Sequence, residues 1–184
     1  MNMRLFPILT AALALASCSQ PENTTATVPD QQQPAAQQGV ADQAPDTVHP
    51  AVANGEVVLH SLAGTGLKFN GVYDSHTDGD IHYIMRFFER GNVALVAGRQ
   101  RTGDRVDLRD LLKQDAKSGK DNLHNVPVVQ RGDSLFFATM ATRGEILYSG
   151  VVVGDSVRFL KRSRVTGKKA VVSYGFVPDD SKWP

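Results

Sequence analysis

The 184-residue chain has one cysteine and one tryptophan, and its formal net charge is only +1. A single cysteine leaves no intramolecular disulfide to hold the fold together. The near balance of charge gives no reason to expect nucleic acid as a partner. The apolar run at residues 5–15 is too short for a membrane-spanning helix, which needs about 20 apolar residues.

The single cysteine, Cys18, comes shortly after this apolar run. A basic N-terminal segment followed by an apolar stretch of this length is typical of a secretory signal peptide. The sequence Leu15-Ala16-Ser17-Cys18 resembles the lipobox of bacterial lipoprotein precursors. The resemblance implies cleavage after residue 17 and acyl chains, palmitate among them, on Cys18. An ordinary cleaved signal peptide followed by an incidental cysteine is the alternative.

Lipidation at Cys18 would make the membrane the first partner of this protein. One acyl chain binds a membrane only marginally, whereas two or more anchor a protein durably. Ser19, and not an aspartate, follows the cysteine, which by the sorting tendency of lipoproteins favours the outer membrane. We therefore expect an exported lipoprotein, anchored in the cell outer membrane and facing the periplasm.

A second segment, residues 18–50, is rich in glutamine, proline and alanine and has no aromatic residue. Such a composition cannot bury enough apolar surface to offset the entropy of the chain, so the segment is predicted to be disordered. The chain thus divides into a signal peptide at residues 1–17, a disordered tether at 18–50 and one folded domain at 51–184.

In the domain, apolar side chains recur with a period of two, and pairs such as Asp78-Gly79 and Gly154-Asp155 separate the runs. This alternation is typical of half-buried strands, and the glycines supply the positive φ of tight hairpins. The pattern predicts an all-β domain with eight antiparallel strands and an optional extra strand near residues 56–62. The eight lie at about residues 67–74, 81–90, 92–98, 123–131, 134–141, 145–153, 155–163 and 169–177.

Eight strands in meander order can close into a barrel, which removes the free edges of the sheet. One short helix is predicted at residues 107–116, between strands three and four, with Asp107 as its cap and Gly119 as its stop. A barrel of this size is either filled by side chains or holds one small ligand. Because the inward-facing residues are bulky, we expect a mostly filled barrel with at most a narrow cavity.

The segment at residues 83–93, Tyr-Ile-Met-Arg-Phe-Phe-Glu-Arg-Gly-Asn-Val, resembles the opening hairpin of small calycin-like meander barrels. The order of elements is similar through residue 177. The Gly-x-Trp motif of lipocalins is altered, since Tyr73 stands where the tryptophan would be. The resemblance implies a small meander barrel in which this hairpin is followed by a short helix and a run of further hairpins.

The first functional hypothesis is therefore a non-enzymatic protein that binds a small apolar or amphipathic molecule inside the barrel and needs no cofactor. Large inward-facing side chains would line the cavity, namely Tyr73, Tyr83, Met85, Phe87, Phe137 and Tyr174.

The second hypothesis is an adaptor with a filled barrel, which docks an envelope protein or peptidoglycan through its outer face or through a basic hairpin at residues 158–169. Attraction to anionic headgroups would support such docking. The basic side chains of this region are Arg158, Lys161, Arg162, Arg164, Lys168 and Lys169.

The third hypothesis is a metal-dependent enzyme at residues 74–82. Oxygen ligands at alternate positions and a glycine at the sixth resemble a calcium loop, although Met85 stands where the closing acid would be. Two histidines with an aspartate would instead suit a transition metal. The residues concerned are Asp74, His76, Asp78, Asp80 and His82. A polar hairpin tip of similar composition is the structural alternative.

Overall fold

A computed structural model describes residues 49–53, 55–75, 79–119 and 122–182. The predicted signal peptide, Cys18 and nearly all of the predicted tether lie outside the described residues. Within them, no helix has the length and apolar character to cross a lipid bilayer.

The described chain is almost entirely β-structure. A two-stranded ribbon comes first, formed by β1 (Val52–Ala53) and β2 (Glu56–Val57). The main sheet follows, with β3 Gly71–Asp74, β4 Ile81–Phe88, β5 Asn92–Arg99, β6 His124–Pro127, β7 Val129–Arg131, β8 Ser134–Ala141, β9 Gly144–Val153, β10 Ser156–Ser163 and β11 Lys169–Pro178.

The main sheet is a nearly closed antiparallel barrel. Its strand order is β6-β5-β4-β3-β11-β10-β9-β8-β7, so the last strand pairs with the first, as in the register of Gly175 with Asp74. The two outermost strands, β6 and β7, are consecutive in the chain and separated only by Val128. They act as one bent strand that joins both edges of the sheet. The predicted eight-stranded meander barrel is thereby confirmed.

The predicted helix at residues 107–116 is in fact a single 3-10 turn, Leu108–Leu111. Asp107 caps it as expected, because its carboxylate accepts a hydrogen bond from the backbone N–H of Arg109 at 2.8 Å. Beyond the turn the backbone continues in short turns, with the N–H of Lys113 bonded to the carbonyl of Leu111. One turn suffices to bring the leucines onto the barrel wall.

Two strand predictions also change at the N-terminal side of the domain. The first strand begins at Gly71, because the N–H of Lys68 donates to the hydroxyl of Tyr73 at 2.8 Å and does not join the ladder. The optional strand near residues 56–62 is reduced to the two residues of β2.

Aromatic rings fill one half of the barrel. Phe159 lies at the centre, with its ring centroid 5.2 Å from that of Phe137 and 6.1 Å from that of Tyr174. Gly150 lies opposite Phe159 in the register, and a Cβ on this glycine would collide with the phenylalanine ring. Edge-to-face and offset ring contacts of this kind add to the stabilisation from burial alone.

A second apolar cluster covers the outer face of β3 to β5. Val72, Ile84 and Val96 point outward there and pack under Leu112 and Leu123 from the connection between β5 and β6. These side chains are buried. The connection therefore serves as a lid on one side of the barrel wall and not as a plug in its interior.

The N-terminal segment closes the end of the barrel that carries the β4–β5 turn, which we call the closed end. The backbone N–H of Leu62 donates to the carbonyl of Glu89 at 2.8 Å, and the side chains of Leu62 and Leu67 are buried in the interior cluster. Gly91 has a φ of 112°, and a Cβ there would collide with the backbone of His60. Glycine thus permits the close passage of this segment.

Candidate functional site

The opposite end of the barrel, which we call the open end, contains a cavity of about 460 Å³. It lies where the β8–β9 and β10–β11 turns leave the barrel. A volume of this size falls within the range of about 300–1,000 Å³ that is common for small-molecule sites. Its apolar wall is formed mainly by Tyr83, Met85, Leu95, Ile146, Tyr148 and Tyr174.

The wall is graded from an apolar floor to an exposed mouth. Met85 and Tyr174 are almost fully buried, whereas the side chain of Tyr83 is 43% exposed. The alternation of β4 produces this gradient, because Tyr83 and Met85 are successive inward-facing positions of one strand that runs from the mouth towards the core. The wall would therefore suit an amphipathic molecule, with its apolar part on the buried floor and its polar part at the exposed mouth.

Three of the six predicted lining residues border this cavity, namely Tyr83, Met85 and Tyr174. The other three, Tyr73, Phe87 and Phe137, are buried in the filled half. The barrel is thus filled in one half and hollow in the other, and its cavity is wider than the sequence led us to expect.

Lys161 is a site residue that was not predicted to line the cavity. The sequence groups it with the basic side chains of the hairpin at residues 158–169, and the structure places it in the cavity wall. The alternation of β10 indicates this position, because Val157 and Phe159 face the interior and residue 161 is the next residue of the same face. Its Cα lies opposite that of Tyr148 in the β9–β10 register.

The Lys161 ammonium lies near two aromatic rings. Its Nζ atom is 5.2 Å from the ring centroid of Tyr148 and 5.9 Å from that of Tyr83. Burial lowers the pKa of Lys161 below its ordinary value of 10.5. Both observations indicate an ammonium group that has lost much of its hydration. The faces of the two tyrosine rings replace part of the stabilisation that water would give it.

Burial shifts the pKa of three other titratable groups of the cavity towards their neutral forms. Burial raises the pKa of Tyr174 and of Tyr148, and for Tyr148 a hydrogen bond with Thr139 offsets part of the rise. Burial also lowers the pKa of His124 below 6.5. Among the described residues that line the cavity there is no aspartate or glutamate. Lys161 therefore dominates the electrostatics of the site.

The candidate metal loop is only partly described. The Oδ2 atom of Asp74 lies 2.6 Å from Nδ1 of His82, and both side chains are buried on the outer face of β3 and β4. Asp80 turns away and accepts a hydrogen bond from Arg101 at 2.5 Å, which lowers the pKa of its carboxyl group. His76 and Asp78 lie outside the described residues.

Within the described part of the chain, no three histidine, cysteine, aspartate or glutamate side chains form a group that could hold a metal ion. The buried pair of Asp74 and His82 supplies two ligand-type side chains, and one carboxylate oxygen of Asp74 has no hydrogen-bond partner among the residues that the structure describes. The metal site stays a prediction.

In the basic hairpin at residues 158–169, an acidic side chain from a neighbouring strand offsets the charge of one basic side chain. Arg164 forms a salt bridge with Glu145 of β9, in which Nη1 of the arginine lies 3.1 Å from Oε2 of the glutamate. Arg162 and Lys169 lie opposite each other in the β10–β11 register, and Lys168 is exposed in the turn.

Comparison with protein-family models, with curated proteins and with solved structures finds no match for this chain. The assignment of the fold class therefore rests on the strand pairing alone. The resemblance to calycin-like barrels and to bacterial lipoproteins stays a prediction from the sequence.

Proposed function

We propose that this protein binds a small amphipathic molecule in the open half of its barrel and performs no chemistry on it. The observation that carries the proposal is the cavity of about 460 Å³, with a largely apolar wall that includes the cationic side chain of Lys161. Small-molecule sites have this composition, in which apolar side chains supply the contact area and a few polar groups orient the ligand.

The adaptor hypothesis has weaker support. It needs a filled barrel that docks through its outer face or through the basic hairpin at residues 158–169, but the open end of the interior contains a cavity and Lys161 contributes its charge to that cavity. Of the remaining basic side chains, Arg164 is paired with Glu145.

Blocking the cavity tests the proposal. Ala97 lines the cavity and lies opposite Tyr83 in the register, so Ala97→Trp would place an indole ring in the ligand's space. The matched control is Val171→Trp, because Val171 is 64% exposed on the outer face of β11. The full chain is purified from its source cells in mild detergent and analysed by native mass spectrometry.

We expect a reproducible extra mass on the wild-type chain and on Val171→Trp that denaturation releases, and its absence from Ala97→Trp. Equal occupancy in both variants would place the ligand outside the barrel and overturn the proposal. So would a wild-type chain that carries no extra mass and does not change its melting temperature with any amphiphile, because a ligand that binds only the native state raises the melting temperature.

We further propose that the protein is an exported lipoprotein, anchored in the cell outer membrane through acyl chains on Cys18. Such an anchor would keep the barrel beside a source of amphipathic molecules. The test is Cys18→Ala, which we expect to move the protein from the membrane fraction to the soluble fraction, while Ser19→Ala leaves it in the membrane. A Cys18→Ala variant that still sediments with the membranes would rule out this anchor.

A further inference from the structure

Lys161 presents a cation to the cavity without an anionic partner in the described part of the chain. It forms no salt bridge there, and the described residues that line the cavity include no carboxylate. The side chain is partly buried. Removing a charge from water is costly unless an opposite charge or strong hydrogen bonds replace the lost hydration.

The neighbours of Lys161 supply only part of that compensation. Tyr148 from β9 and Tyr83 from β4 face its ammonium with their rings, at centroid distances of 5.2 and 5.9 Å. Ala170 is its partner in β11 and offers no polar side chain. Ring faces attract a cation less strongly than a carboxylate or phosphate does at hydrogen-bond distance.

The position of Lys161 within the cavity indicates where a ligand's charge would lie. Tyr83, which is partly exposed, borders the mouth on one side of the ammonium, while the buried Met85 and Tyr174 form the floor. A ligand bound head-outward would therefore place its polar group near Lys161 and its apolar part on the floor.

We propose that Lys161 is the counter-ion for the single anionic head group of an amphiphile whose apolar chain lies against Met85, Leu95 and Ile146. This inference rests on the proposed function and narrows its ligand to molecules with an apolar chain and one carboxylate, phosphate or sulfate. It excludes neutral and cationic amphiphiles as the preferred ligands. Lys161 acts here by binding and orienting the ligand.

The test varies only the head group. Decanoate, decanol and decyltrimethylammonium share one alkyl chain and differ in charge. Each is titrated into the full chain by isothermal titration calorimetry, with Cys18→Ala as the common background so that no acyl chain on the protein competes. We expect decanoate to bind at least about tenfold more tightly than decanol, because hydrogen bonds to charged groups are stronger than neutral ones. Decyltrimethylammonium should bind most weakly.

Variants then assign the preference to one side chain. Lys161→Met keeps an unbranched apolar side chain and should weaken decanoate binding by about tenfold to a hundredfold, down to the level of decanol. It should change decanol binding far less, because decanol carries no charge for Lys161 to pair with. Lys161→Arg should retain most of the preference for decanoate. The matched control is Lys168→Met, which removes the same charge from the exposed turn of the same hairpin and should have no effect.

The outcomes distinguish a failure of the inference alone from a failure of the proposed function. If decanoate and decanol bind the unmodified cavity equally, the barrel binds amphiphiles but Lys161 does not select their charge, and the inference is wrong. If Lys168→Met reduces decanoate binding as much as Lys161→Met does, the effect is one of general surface charge, and the inference is wrong as well. If none of the three binds, both the inference and the amphiphile class of the proposed function fail. The head-group comparison needs no Lys161 variant, so a variant that fails to fold does not prevent a decision.

Discussion

The two ends of this barrel are built from the same eight-stranded wall but have opposite interiors. At the closed end, the N-terminal segment carries Leu62 and Leu67 across the barrel and completes the packing of its aromatic residues. At the open end, strands of similar regularity surround a cavity, and the inward series of Val157 and Phe159 in β10 continues with Lys161 in place of another apolar residue. The wall determines the diameter, but the segments that cross its ends decide between a core and a binding site.

The largest difference between the two ends should appear in stability. Phe159 is fully buried and contacts four aromatic rings, so Phe159→Ala should lower the free energy of unfolding by about 3–5 kcal/mol. Tyr83→Ala at the mouth removes a larger side chain but should cost less than about 1 kcal/mol, because its ring is already partly hydrated. Urea unfolding of both variants measures the difference. Similar losses would mean that the mouth is packed as tightly as the core.

The N-terminal segment provides the next test of the comparison. Leu62 is completely buried, and Leu62→Ala should cost about 2–5 kcal/mol through the lost contacts and the cavity left behind. The matched control is Leu59→Ala, because Leu59 precedes it in the same segment and is 41% exposed. Its effect on the unfolding midpoint should be several times smaller. If the two substitutions cost the same, the segment would not plug the barrel and the closed end would not be closed.

A smaller effect concerns alkaline pH at the floor of the open end. Burial raises the pKa of Tyr174 above 10.0, so the folded state keeps its proton after unfolded tyrosines begin to ionise. The corresponding stability is fully present below pH 10 and is lost as pH rises from about 10 towards the folded-state pKa, at up to about 1.4 kcal/mol per pH unit. Tyr174→Phe should remove part of this slope.

Unfolding curves between neutral pH and pH 11 measure the slope. The control is Val171→Trp, since Val171 is 64% exposed on the outer face of β11 and neither side chain titrates, so the slope should stay close to that of the wild type. A Tyr174→Phe variant with an unchanged pH dependence would show that water reaches the floor of the cavity freely.

The smallest effect should come from the ion pair near the closed end. The Nζ atom of Lys68 lies 2.8 Å from Oδ1 of Asp155, but both side chains are largely exposed to solvent. Asp155→Asn should change the free energy of unfolding by less than about 1 kcal/mol, because water and salt screen exposed pairs. A loss comparable with that of Leu62→Ala would indicate that the closed end is held by charge and not by apolar packing.

The wall of the barrel could be predicted from the sequence because its information is local. Each strand alternates in polarity, and turn glycines such as Gly132 and Gly154 separate neighbours that pair with each other. The single strand predicted at residues 123–131 covers both β6 and β7. The bend at Val128 that divides them was not predicted, because it does not interrupt the alternation of the sequence. A meander needs only such short-range signals.

The candidate site was harder to predict because it depends on how the ends of the barrel are covered. The alternation identified Tyr83, Met85, Phe87 and Tyr174 as inward-facing, but it could not tell that Leu62 and Leu67 fill only one half of the interior. The leucines at residues 108–112 have helical spacing, yet they need only one turn to reach the barrel wall. Lys161 was grouped with the basic side chains of residues 158–169, although the alternation of β10 places it inside.

The pairing of β11 with β3 also has a consequence for the order in which the chain folds. Every other ladder of the barrel joins strands that are consecutive in the chain, although residues 100–123 separate β5 from β6, whereas Gly175 and Asp74 are separated by nearly the whole main sheet. Hairpins such as β8–β9 can form within microseconds, while closing a long loop carries a larger entropic cost. We therefore expect the hairpins to be present before the barrel closes, and the apolar interior to exclude water only when the last strand docks against the first.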